Sequence, residues 1–124
     1  MAHILVIDDD EQFCMMLVQM LTQDGHRVTS AQDGEEGLRL IAQIRPDLII
    51  TDILMPRKDG IETIMELNRI GSNIPIIAIS GGRRIISAEF NLESASLVGA
   101  GIKASLVKPF VRADLRLAIE KALS

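Results

Sequence analysis

Three short apolar runs in this chain end in charge. His3-Ile4-Leu5-Val6-Ile7 runs into Asp8-Asp9-Asp10, Leu48-Ile49-Ile50-Thr51 into Asp52, and Leu106-Val107 into Lys108-Pro109. Brought together, Asp8, Asp9 and Asp52 would repel: two carboxylates about 4 Å apart cost about 4 kcal/mol at an effective dielectric of about 20. Such a cluster needs a cation, a shifted pKa, or both. A few hard oxygen ligands suit Mg2+, which keeps several waters and accepts oxygens from a phosphoryl donor. A carboxylate beside that ion can also attack phosphorus, as in aspartyl-phosphate chemistry. Lys108 then offers charge to one phosphoryl oxygen and the Ser80 hydroxyl a hydrogen bond to another.

The elements that must position these residues alternate strictly. Short continuous apolar runs are the mark of parallel strands buried on both faces, and open parallel sheets bind ligands at the carboxyl ends of their strands. Strands are expected at His3–Ile7, His26–Ala31, Leu48–Thr51, Ile76–Ser80 and Ala104–Val107, with the polar second one at an edge. The first helix runs from about Glu11 to Gln23, with Phe13, Met16, Leu17, Met20 and Leu21 inward, and Asp24-Gly25 ends it. Asp33-Gly34 opens a second helix, buried through Leu38, Ile41 and Ile44, and Pro46 bars its continuation. A third spans Ile61–Ile70, buried through Ile61, Ile64 and Leu67. A fourth ends near Ala100, and a fifth runs from about Arg112 to Leu123 with Leu115, Ala118, Ile119 and Ala122 inward. The sum is an α/β fold, (βα)5, with right-handed crossovers and a doubly wound parallel sheet.

Composition narrows the function. The chain has 124 residues, ordinary for one domain, and 1–124 reads as a single domain with no output domain after it. Aromatics are only 2%, so the core is aliphatic. A net charge of −4 argues against a nucleic-acid surface. The lone Cys14 offers no disulfide framework, and no run approaches the ~18 apolar residues of a membrane span. The cytoplasm is the expected compartment.

Over its whole length the chain resembles the receiver domains of bacterial two-component response regulators. The matching blocks are Ile4–Asp10, Pro46–Pro56, Asp59-Gly60, Pro75–Ser80 and Leu106–Phe110. The resemblance implies the flavodoxin-like strand order 2-1-3-4-5 and Mg2+ as cofactor. It makes Asp52 the phosphoacceptor, Asp9 a direct metal ligand, Asp8 a ligand through water, and the Leu54 carbonyl the third protein ligand. Ser80 becomes the switch hydroxyl and Lys108 the phosphate partner, with a cis peptide at Lys108–Pro109. The implied donor is a histidine kinase or histidine phosphotransfer protein. The output partner stays open, and the protein modifies itself rather than turning over a substrate.

Three positions depart from the family pattern. Ser105 stands where an aromatic is common, so the usual coupling of switch hydroxyl to aromatic cannot run unchanged. Gly81-Gly82-Arg83-Arg84-Ile85-Ile86 is glycine-rich, then basic, then apolar: a lid, a partner surface, or a plain loop. Cys14, Met15 and Val18 form an outward apolar stripe on the first helix that would suit a kinase helix. Two further positions bear on the lifetime of a phosphoryl group. Leu54 and Gly82, two residues after Asp52 and Ser80, lack polar side chains to hold an attacking water, which implies slow self-dephosphorylation.

Plainer readings stand beside these. Asp10 precedes a helix and reads as its N-cap; Asp33-Gly34 and Asp59-Gly60 read as turn and helix-start signals. Cys14 reads as an inert thiol, His3 and His26 carry no chemistry, and the methionines fill the core. A receiver fold without phosphorylation, acting as an interaction module, is the main alternative. A haloacid-dehalogenase-type phosphatase would need D-x-D-x-T; Asp8-x-Asp10 fits it, but Gln12 stands where Thr is required. A flavodoxin-like cofactor site fails because Asp8-Asp9-Asp10 would repel a phosphate.

Overall fold

Apolar runs that must bury both faces can do so only between two helical layers, and the chain builds that sandwich. The computed structural model describes residues 2–53, 60–69, 73–81 and 102–124. Its strands are β1 (His3–Ile7), β2 (Arg27–Ala31), β3 (Leu48–Asp52), β4 (Ile76–Gly81) and β5 (Ile102–Lys108). All pairings are parallel and the order is β2-β1-β3-β4-β5, as expected. The described helices are α1 (Glu11–Gln23), α2 (Gly34–Ile44), α3 (Gly60–Arg69) and α4 (Arg112–Leu123). The helix expected to end near Ala100 lies outside the described residues, so α4 is the fifth helix of the sequence reading.

Alternate residues of each strand feed two cores. On one face Ile4, Val6, Leu48, Ile50, Ile77, Ile79 and Leu106 meet Leu17 and Leu21 of α1 and Leu115, Ala118, Ile119 and Ala122 of α4. On the other, Leu5, Ile7, Ile49 and Ile76 meet Ile41 of α2 and Leu67 of α3. Leu38 and Ile44 of α2 are half-buried, and the side chains of Ile61 and Ile64 lie outside the described residues.

Helix starts follow the local chemistry. Asp10 caps α1 by accepting from the Phe13 N–H at 3.1 Å, and Asp33 caps α2 by accepting from the Glu36 N–H at 2.8 Å. Gly25, just past α1, holds φ 90°, a left-handed turn that favours glycine. Val111 has no side-chain acceptor, so at the start of α4 the Asp114 carboxylate instead accepts from the Val111 N–H.

The phase of α1 differs from expectation. Cys14 is buried with Leu17 and Leu21, Val18 packs beside them, and Met16 is 37% exposed. The outward stripe of Cys14, Met15 and Val18 therefore reduces to Met15, which is 67% exposed. Apolar residues occupy most of this helix, and three flexible methionines do not specify a face, so packing against the sheet set the rotation. Burial pushes the Cys14 thiol above its ordinary pKa, despite a hydrogen bond with Ser30, which fits an inert thiol. At the far end of α1, Arg116 and Arg112 of α4 both donate to Asp24, with Arg116 Nη2 at 2.9 Å. Those hydrogen bonds, Arg116 foremost, hold the Asp24 carboxyl well below the usual range.

Candidate functional site

Period-two alternation carries the core stripe of one face into the site. Two residues past Val6, Ile50 and Leu106 stand Asp8, Asp52 and Lys108, each at the carboxyl end of its strand. Pairing of β1 with β3 aligns Ile7 with Thr51, which brings Asp8 and Asp52 level, and pairing of β4 with β5 sets Lys108 opposite Gly81. Ligand oxygens of Asp8, Asp9 and Asp52 all lie within 4.8 Å of one another. Lys108 reaches across β4 so that Nζ lies 3.2 Å from Asp52 Oδ2 and 3.4 Å from Asp8 Oδ2.

The electrostatics follow from burial. Asp8 is 1% exposed, Asp52 6%, and Asp9 is exposed. Burial pushes Asp8 up to about 6; the Asp10 N–H, 2.9 Å from its Oδ1, opposes the rise, and the Asp52 charge adds to it. Burial also works against the Lys108 ammonium, but Asp8 and Asp52 outweigh it, so Lys108 sits above its ordinary pKa. Asp8 Oδ2 is buried without a hydrogen-bond partner. A buried oxygen that makes no hydrogen bond and meets the Lys108 charge at 3.4 Å, in a group of three carboxylates, fits a small hard cation with oxygen ligands. Asp8, Asp9 and Asp52 can hold a metal ion.

Ser80, half-buried near the end of β4, is one residue past Ile79, the register partner of Asp52, and pairs with Val107. Leu54 lies outside the described residues, as do residues 82–86 of the glycine-rich segment. Ser105 is exposed on β5, and the Lys108–Pro109 peptide is cis, as expected. Sequence reasoning missed one contact: the Phe13 ring, read as core, lies under Lys108 Nζ with 4.0 Å to its centroid. Its place in the first turn after Asp8-Asp9-Asp10 was the available signal.

Comparison with known proteins identifies the family of this fold. The family model for the response regulator receiver domain matches residues 4–120. The response regulator MprA of Mycolicibacterium vanbaalenii is 39% identical over 114 residues, covering 92% of this chain and 47% of that protein. The transcriptional regulatory protein AfsQ1 of Streptomyces coelicolor is 35% identical over 118 residues, covering 94% and 52%. The chain thus spans about half the length of the curated relatives it matches. Among solved structures, the chemotaxis protein CheY4 of Vibrio cholerae superposes with a TM-score of 0.86 at 30% identity, covering 99% of both chains. A response regulator receiver domain protein from Clostridium thermocellum gives 0.83 at 31%, covering 99% and 94%. The general function of these domains is phosphorylation on an aspartate. The chain belongs to the receiver domains of two-component response regulators.

Proposed function

We propose that Asp52 accepts a phosphoryl group from the phosphohistidine of a histidine kinase or histidine phosphotransfer protein. One observation carries this reading: Asp52 shares one cluster with the Asp8 and Asp9 carboxylates and takes the Lys108 ammonium at 3.2 Å. An Asp52 oxygen forms the new O–P bond as the donor's N–P bond breaks, and the imidazole nitrogen keeps the electron pair. Lys108, already 3.2 Å from Asp52 Oδ2, turns to a phosphoryl oxygen and offsets its charge. Ser80, near the end of β4, donates to another. Asp8, Asp9 and Asp52, with the Leu54 carbonyl that the family resemblance adds, would hold Mg2+, which would neutralise charge on the transferring group.

Phosphorylation then alters affinity for an output partner. The protein acts as a signalling element whose aspartate is modified and restored, in the cytoplasm where its donor works. No helix among the described residues is long and apolar enough to cross a membrane.

The test is incubation with acetyl phosphate and Mg2+. One phosphoryl group, labile to hydroxylamine, should appear on the parent and be absent from Asp52→Asn. Modification that persists in Asp52→Asn assigns the nucleophile elsewhere, and a parent that takes up none is an interaction module without phosphorylation.

A further inference from the structure

Phe13 has two neighbours that core packing alone does not require. Its ring centroid is 4.0 Å from Lys108 Nζ, well inside the ~6 Å reach of a cation over an aromatic face. The same ring meets Phe110 edge-on, with centroids 5.7 Å apart and planes at 90°. Edge-to-face pairing fixes the tilt of a ring as well as its position. Phe13 is half-buried on α1, and Phe110 follows Lys108 by two residues, so the pair ties α1 to the end of β5 around the lysine.

Lysine is a compact charge on a flexible stem with four rotatable bonds, so attraction alone localises it poorly. Asp52 and Asp8 draw Nζ inward, at 3.2 and 3.4 Å, without fixing its approach. The Phe13 ring supplies a further surface. It stands where water would otherwise solvate the ammonium and remains attractive while Nζ slides across the ring face. A leucine would fill much of the same space but offer no such face. The contact also comes from α1 and not from position 105, where exposed Ser105 has no ring to offer.

We propose that Phe13 is a positioning residue for Lys108: its ring holds the ammonium at the acid cluster and guides it from Asp52 to the phosphoryl oxygen. The role in transfer rests on Asp52 being the phosphoacceptor; the contact itself does not.

Two measurements test this on Phe13→Leu and Phe13→Tyr, with Phe13→Met replacing the leucine variant should that variant not fold. By NMR, the ε-methylene protons of Lys108 should carry an upfield ring-current shift in the parent and in Phe13→Tyr, and lose it in Phe13→Leu. Phosphoryl uptake from acetyl phosphate should slow about three- to tenfold in Phe13→Leu and stay near the parent rate in Phe13→Tyr. In a Lys108→Ala background, Phe13→Leu should add no further loss, because residues acting as one unit are not additive. An unchanged methylene shift in Phe13→Leu overturns the contact. Equal slowing with and without Lys108 overturns the positioning role and makes Phe13 a packing residue. A parent that takes up no phosphoryl group instead counts against Asp52 as acceptor, while the shift still decides the contact.

Discussion

Lys108 Nζ lies 3.2 Å from Asp52 Oδ2, although the two residues are 56 positions apart and β4 runs between their strands. Lysine and aspartate side chains reaching toward each other together span the two strand spacings, about 4.8 Å each, that separate β3 from β5. The cation therefore sits where a metal ion would also be drawn, and a bound metal would compete with it for the same carboxylates.

That competition has opposite consequences for two variants. Asp9→Asn removes one carboxylate of the acid cluster and should weaken Mg2+ binding about tenfold or more. Lys108→Ala removes a competing cation beside Asp8 and Asp52 and should tighten it about threefold or more. Titration with Mg2+ checks both. Unchanged affinity in Asp9→Asn removes that residue from the ligand set, and weaker binding in Lys108→Ala contradicts the competition.

Asp8 makes the metal-free protein sensitive to pH. A rise from an ordinary 3.8 to about 6 corresponds to about 3 kcal/mol. The folded state holds the Asp8 proton more tightly than the unfolded chain. Its contribution to stability is therefore fully present below about pH 4 and lost as pH rises through about 6. With chelator present, Asp8→Asn should gain stability relative to the parent at about pH 7.5 but not at about pH 4, by up to about 3 kcal/mol. Denaturant melts of both proteins at the two pH values measure this, and a pH-independent difference would contradict the raised pKa.

Gly37 lets α2 lie close against Ile7 of β1. A Cβ there would lie 2.5 Å from Ile7 Cδ1, and Ile7 is fully buried in the second core. Alanine normally favours a helix by about 1 kcal/mol over glycine, but overpacking costs about 1–3 kcal/mol. Gly37→Ala should therefore be destabilising, by about 1 kcal/mol net. Adding Ile7→Val removes the clashing methyl and should recover part of the loss. Thermal melts of the single and double variants decide it; a Gly37→Ala protein more stable than the parent means that Ile7 yields freely.

The lifetime of the phosphoryl group depends on how a water is held in line. Leu54 and Gly82 offer no side-chain hydrogen bond to such a water, so self-dephosphorylation should be slow. Leu54→Asn combined with Gly82→Glu should accelerate it about tenfold. The loss of phosphoryl label over time compares the two proteins. Equal rates would mean that bulk water, and not side-chain positioning, governs the lifetime.

Much of this protein was legible from local chemistry. Continuous apolar runs require cover on both faces, and their alternation with helical segments leads to a doubly wound parallel sheet; its order β2-β1-β3-β4-β5 came from the family resemblance. Acids and a lysine at the carboxyl ends of those runs must then converge, as Asp8, Asp9, Asp52 and Lys108 do. Caps were equally readable, because Asp10 and Asp33 bond within three residues of themselves. What local pattern could not decide was rotation and long-range reach. The phase of α1, which buries Cys14 and exposes Met16, depends on the shape of the sheet beneath a helix apolar on most sides. The clasp of Asp24 by Arg112 and Arg116 joins residues 88 and 92 positions apart, and the seat of Lys108 on the Phe13 ring joins β5 to α1. Such contacts are set by where two helices and a strand end cross in space, a property of the packed sheet and of no segment alone.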